Sequence, residues 1–136
     1  MRIYEHVYRK HIRVIGTQIQ TGNSIPIIGL PAPGVGKIVL PQSASCVVYS
    51  GTVAFAIEND VINLRHIVDV EYMGSYAGLG NISPTVRFCE FTKPAFPQTL
   101  DLDTIENTSL KIMTTADTDQ GNGIVDIYIS YIVIKL

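Results

Sequence analysis

The chain has 136 residues, of which 46% are hydrophobic and 16% charged, with a formal net charge of −2. That length suits one domain with its own core, and the apolar content excludes a disordered chain. The near-neutral charge gives no global case for nucleic acid binding, while so few charges suit a surface partly covered by other subunits.

The N-terminal stretch "MRIYEHVYRKHIRV" carries charges throughout and lacks the apolar core of a secretory signal, so synthesis in a reducing cytoplasm is expected. It sets Arg2, Arg9, Lys10 and Arg13 against Glu5 and interleaves them with Ile3, Tyr4, Val7, Tyr8 and Ile12. Two readings stand. Residues 1–13 form a basic docking arm that uses those four cations on an acidic protein surface, with residues 14–136 as the folded domain; or they form a first strand with its cations in water. Nothing later in the chain extends the basic patch towards a nucleic acid site.

Next comes "LPAPGVGKIVLP", which looks like a phosphate loop and fails as one. Counting back from Gly36 puts Pro31, which has no amide hydrogen, where the motif needs its first Gly; Lys37 is followed by Ile38, which has no hydroxyl for magnesium. Its prolines and glycines instead predict a turn that delivers the chain into the strand "GKIVL". Then "SCVVY", Ser50-Gly51 and "TVAFAIE" predict a hairpin on a tight Ser-Gly turn. Cys46 and Cys89 belong to no CxxC or Cys/His cluster, which predicts buried thiols rather than a metal site or a disulfide framework.

In "VINLRHIVDVEY", Val61, Leu64, Val68 and Tyr72 fit a helical stripe, whereas Leu64, His66, Val68, Val70 and Tyr72 fit alternation; the wealth of Val and Ile favours strand. "TVRFCEF" and "QTLDLD" predict further short strands, and "KPAFPQ" holds Phe96 between prolines in a rigid loop. "LKIMTT" and "IVDIYISYIVI" predict two strands joined as a C-terminal hairpin by the turn-rich "ADTDQGNG". In the last strand Val125, Ile127, Ile129, Tyr131 and Val133 form one apolar face. The opposite face leaves Tyr128 and Ile132 as candidates for a subunit interface. No apolar run approaches the ~18 residues of a membrane-spanning helix. With roughly eight to ten short strands, the expected fold is all-β: a single-domain antiparallel β-sandwich, jelly-roll-like.

No constellation points to catalysis, a cofactor or a metal. A calcium loop starting at Asp117 needs Gly and Glu where Asn122 and Tyr128 stand, which leaves Asp117 and Asp119 in a solvated turn. His6, His11 and His66 lack zinc-ligand spacing, and no Ser or Cys sits in a nucleophile motif. The glycosylation tripeptides at Asn81 and Asn107 are discounted without a secretion signal.

The motif order, "IPIIGLPAPGVGKIVLPQSASCVVYSGTVAFA" early and "NTSLKIMTTADTDQGNGIVDIYISYIVI" late, resembles small β-sandwich structural proteins of tailed bacteriophage particles over roughly half the chain. Pro31 to Lys37, Gly51 to Phe55, Leu110 to Asp117 and Gly121 to Tyr131 carry it. The resemblance implies a non-enzymatic virion protein made in the host cytoplasm: a homotrimeric decoration or cement protein that binds the major capsid protein and stabilises the shell, or a head-fibre or tail component. Neither a membrane nor a nucleic acid is implied as a partner. Two other classes are weighed. "VDVEYMG" weakly resembles a segment of trimeric dUTPases, with Asp69 as the test residue, but the family's other motifs are missing. A carbohydrate-binding module needs an aromatic platform, for which Tyr72 and Tyr76 are the candidates.

Overall fold

Branched and aromatic residues, which sit well on a pleated surface, set nine strands among the described residues. The computed structural model describes residues 2–3, 6–57, 61–67, 70–93 and 101–136. In chain order these contain β1 (Arg2–Ile3), β2 (Tyr8–Val14), α1 (Gly16–Gln20), β3 (Ile27–Leu30), β4 (Lys37–Tyr49) and β5 (Val61–Ile67). β6 (Val70–Tyr76), β7 (Val86–Glu90), α2 (Leu102–Ile105), β8 (Leu110–Thr114) and β9 (Ile124–Lys135) follow.

The pairing is nested. β5 pairs with β6, β4 with β7, β3 with β8 and β2 with β9, all antiparallel, so the chain doubles back on itself as one long hairpin. Rolling that hairpin up brings β4 against β9 and β5 against β8. Two sheets result, in the orders β2-β9-β4-β7 (sheet A) and β3-β8-β5-β6 (sheet B), and β1 prolongs the β2 edge along the end of β9. Two four-stranded antiparallel sheets with this connectivity make a jelly roll, as the pattern of short strands predicts.

Alternation fills the space between the sheets. Val125, Ile127 and Ile129 of β9 and Ala44, Cys46 and Val48 of β4 face Ile62 and Leu64 of β5, Met73 of β6 and Leu110 and Ile112 of β8 in one buried cluster. Each fully buried aliphatic side chain contributes about 1.5–3 kcal/mol, which is what holds the two sheets face to face. Keeping β4 in phase requires a correction within the strand: the register shifts between Pro41 and Ser43. Pro41 has no amide hydrogen for the ladder, and a bulge at this point restores the alternation that buries Ala44, Cys46 and Val48.

Three local expectations are corrected. Ser50-Gly51 does not close a hairpin: β4 pairs with β7 and β9, and residues 51–57 run as irregular chain. There the chain passes so close to Asn122 that a Cβ on Gly51 would overlap its side chain, and Phe55 packs where a Cβ on Gly121 would stand. The "ADTDQGNG" link is a crossover from β8 in sheet B to β9 in sheet A, not a hairpin turn. "VINLRHIVDVEY" is strand and not helix in its described residues, as the wealth of Val and Ile predicts: it supplies β5 and the start of β6, which pair with each other, and residues 68–69 lie outside the described ones. In "QTLDLD", the described residues enter α2, where the Asp101 carboxylate accepts from the Asp103 amide and caps the helix. The Pro31–Lys37 stretch is a turn between β3 and β4, with Gly34 and Gly36 at φ of 109° and 76° as only glycine adopts readily. Its amides are engaged: Gly34 donates to Asn107 Oδ1 and Gly36 to Glu106 Oε1.

Candidate functional site

The boundary drawn at residue 13 falls inside β2, where Tyr8 to Val14 pair residue by residue with Tyr131 to Val125 as the edge of sheet A. Strand alternation then sorts these side chains. Arg9, His11 and Arg13 stand on the outer face, whereas Lys10 shares the parity of the inward-facing Ile12 and Val14. Arg2 lies in β1 opposite Lys135.

The registers of three strand pairs combine into rows across the outer face. One row reads Arg13, Asp126, Val47, Phe88; the next reads His11, Tyr128, Ser45, Glu90; a third begins Arg9, Ser130, Ser43. Beyond Arg13 the face continues with Ile124, Tyr49 and Val86. Phe88 is 65% exposed, Val86 54%, Tyr128 43% and Tyr49 39%, an apolar load that a sheet face turned to water does not need. Small serines on the two central strands and long side chains on both edges leave a groove of about 600 Å³, floored by Ser43, Ser45 and Ser130. Arg9 and His11 line one side of it, Phe88 and Glu90 the other.

One carboxylate organises the β2 side. Asp126 is buried, and Arg13 forks onto it, Nε to Oδ1 at 2.9 Å and Nη2 to Oδ2 at 2.8 Å. His11 Nε2 meets the same Oδ1 at 3.0 Å, and its ring stacks on Tyr128 at 4.7 Å. The Arg13 hydrogen bonds outweigh the cost of covering the carboxyl and hold its pKa down to about 2. A His–Asp contact suggests general-base chemistry, but here the carboxylate is already engaged by a bidentate guanidinium, Ser43 and Ser45 stand beyond β9 on β4, and Ser130 lies in the Arg9 row rather than that of His11. The cluster orients the edge strand and presents His11 and Tyr128 as one stacked unit.

Of the candidate interface residues, Tyr128 lies on this outer face and Ile132 on the same side of β9 by alternation, half-buried. Sequence reasoning singled out neither Phe88 and Glu90 nor Asp126. The alternation of "TVRFCEF" gives Phe88 and Glu90 a common face, but not their alignment with Tyr128, which depends on strands paired across most of the chain. Tyr72 and Tyr76 do not form a matched platform: Tyr76 is 81% exposed, whereas Tyr72 is half-buried, edge-on to His66 and under the Lys93 ammonium. Asp69 and Phe96 lie outside the described residues.

Other polar groups are absorbed by the fold. Asp117 accepts from the amides of Asn23 and Ser24, tying the link into β9 to the α1–β3 loop, and Asn107 Oδ1 caps the Gly34 turn. Cys46 and Cys89 are directly opposed across β4 and β7 as free thiols, and burial pushes Cys46 up to about 12. Among the described residues, no group of three or more His, Cys, Asp or Glu could hold a metal ion, and no helix is long and apolar enough to cross a membrane. No protein-family model, curated protein or solved structure matches the chain.

Proposed function

We propose that this chain is a non-enzymatic structural protein of a virus particle, of the capsid decoration or cement type, which assembles as a homo-oligomer and binds a coat protein or another virion protein. The observation that carries this reading is the outer face of sheet A, which keeps Tyr49, Val86, Phe88 and Tyr128 in water beside Arg9 and Arg13 of the edge strand. A face of this kind suits lasting contact with another protein surface. Two further points support it: viral capsid domains are among the users of the jelly roll, and the motifs around Pro31 to Lys37 and Gly121 to Tyr131 resemble phage structural proteins. Several modest contacts per assembly, acting together on a shell, dissociate far more slowly than one, and that is how such a protein would stabilise the shell.

Quantitative mass spectrometry of purified particles from the source of the gene, scored as copies per coat subunit, tests the reading. Hundreds of copies per particle are expected of a decoration protein. A dozen would move the protein to a fibre or tail, and absence from particles would end the structural reading.

The serine-floored groove favours a second reading, a glycan-binding fibre or tail component. Its hydroxyls, Glu90 and the Phe88 ring are groups that grip sugars. Glycan-array binding that Phe88→Ala abolishes in a folded protein is the result that reading requires.

A further inference from the structure

We infer that the outer face of sheet A is an isologous contact between two copies of this chain, packed sheet on sheet about a two-fold axis that runs along the strands between β9 and β4. This rests on reading that face as an assembly surface and names its occupant. An axis in that position keeps every row in place and reverses the strand order, so β2 lies over the partner's β7 and β9 over the partner's β4. Each row then meets its own mirror-ordered copy. In the row His11, Tyr128, Ser45, Glu90, the partner's Glu90 comes over His11, with Arg9 one row away.

Shape follows the same order as charge. Tyr128 comes over the partner's Ser45, a large side chain onto the floor of the groove, and each copy supplies one such pair. In the next row Arg13 comes over the partner's Phe88, and a guanidinium over an aromatic ring is a favourable meeting. The alternative two-fold axis, across the strands, would stack β2 on β2 and reverse the order of the rows, so that centred on the His11 row it would set Arg9 against the partner's Arg13. Like charges juxtaposed in this way select the first axis. Four strands spaced about 4.8 Å apart and four rows spaced about 6.8 Å apart span roughly 500 Å² in projection, the low end for a specific contact. An isologous contact closes at two copies, which departs from the threefold arrangement that the phage resemblance implies.

Sedimentation velocity on the full chain from about 1 to 500 µM tests this, because a weak dimer follows mass action over that range. The expected result is a monomer–dimer equilibrium. Phe88→Ser should weaken it about tenfold or more; Glu90→Arg and Arg9→Glu should each weaken it, and together they should recover most of the loss. All three positions are at the surface, and thermal melts check that each variant stays folded. A monomer throughout the range overturns the inference, as does a dimer indifferent to these substitutions. A trimer overturns the two-fold contact while leaving the virion reading intact, and particle copy number tests that reading independently of self-association.

Discussion

His66 and Asp126 are both ionisable and both buried, one in each sheet, and the fold accommodates them in opposite ways. His66 sits in β5 with no surface exposed, its Nε2 donating to the Val39 carbonyl of β4 at 2.7 Å. That bond fixes the tautomer, and buried Nδ1 has no hydrogen-bond partner among the described residues. Burial, with Lys111 nearby, pushes its pKa down, against the pull of the Val39 carbonyl, so the ring is kept neutral. Asp126 lies under a single layer of side chains and keeps its charge, because Arg13 and His11 reach it from the solvent side. Depth decides the outcome. A group in the space between the sheets is tolerated as a neutral dipole, and a group on the outer face is tolerated as an ion with partners.

The largest test of that contrast is truncation. His66→Ala removes a fully buried ring and the link from β5 to the Val39 carbonyl, so it should cost about 3 kcal/mol in urea unfolding. Asp126→Asn keeps the shape but leaves Arg13 one acceptor in place of two; because Arg13 and His11 are half-exposed and can turn to water, at neutral pH it should cost clearly less. If the two losses were equal, depth would not be the variable that separates these sites.

Acid should then separate them by pH window. His66 has a folded pKa below its ordinary 6.5, so the unfolded chain binds its proton first. Its neutral form therefore supports the fold above pH 6.5, and that stability drains away as the pH falls below it, by up to about 1.4 kcal/mol per pH unit. Asp126 is lowered from 3.8 to about 2, so its contribution is complete above pH 3.8 and is lost as the pH falls through about 2. Urea midpoints between pH 7 and 2 should show a first decline that His66→Asn flattens and a later one that Asp126→Asn flattens. A first decline that persists in His66→Asn would remove the histidine from this account.

The two sites also differ in how far they could be read from the sequence. Period two in "IVDIYISYIVI" was enough to put Val125, Ile127 and Ile129 in the core and Tyr128 outside it, because burial on one face leaves a local pattern. The number of short strands likewise indicated a jelly-roll-like sandwich. Pairing left no such trace. Ser50-Gly51 and "ADTDQGNG" carry turn-forming residues, yet each leads the chain to another part of the fold, because nested pairs such as β2 with β9 join segments more than a hundred residues apart. The glycines matter there for space: Gly51 and Gly123 lie against other backbone and side chains rather than at the tip of a hairpin. The same distance hid the Asp126 cluster, the opposed Cys46 and Cys89, and the rows that align Phe88 and Glu90 with Tyr128. Arg13 was legible as a cation and not as a partner.

Arg13→Lys gives the smallest effect and isolates what makes the outer site acceptable. The charge stays next to Asp126, but a lysine cannot reproduce the fork of Nε on Oδ1 and Nη2 on Oδ2. Arg13 itself is more than half exposed, so water can compensate for much of the loss at neutral pH, and the urea midpoint there should barely move. The acid side should respond more clearly. The Arg13 hydrogen bonds are the largest influence holding the Asp126 carboxyl down, and losing one of them should raise its folded pKa from about 2 towards 3.8. The late acid transition should then begin at a higher pH in Arg13→Lys while the His66 window stays in place. An unchanged late transition would mean that proximity of a positive charge alone keeps Asp126 ionised, and that the geometry of the fork contributes nothing beyond it.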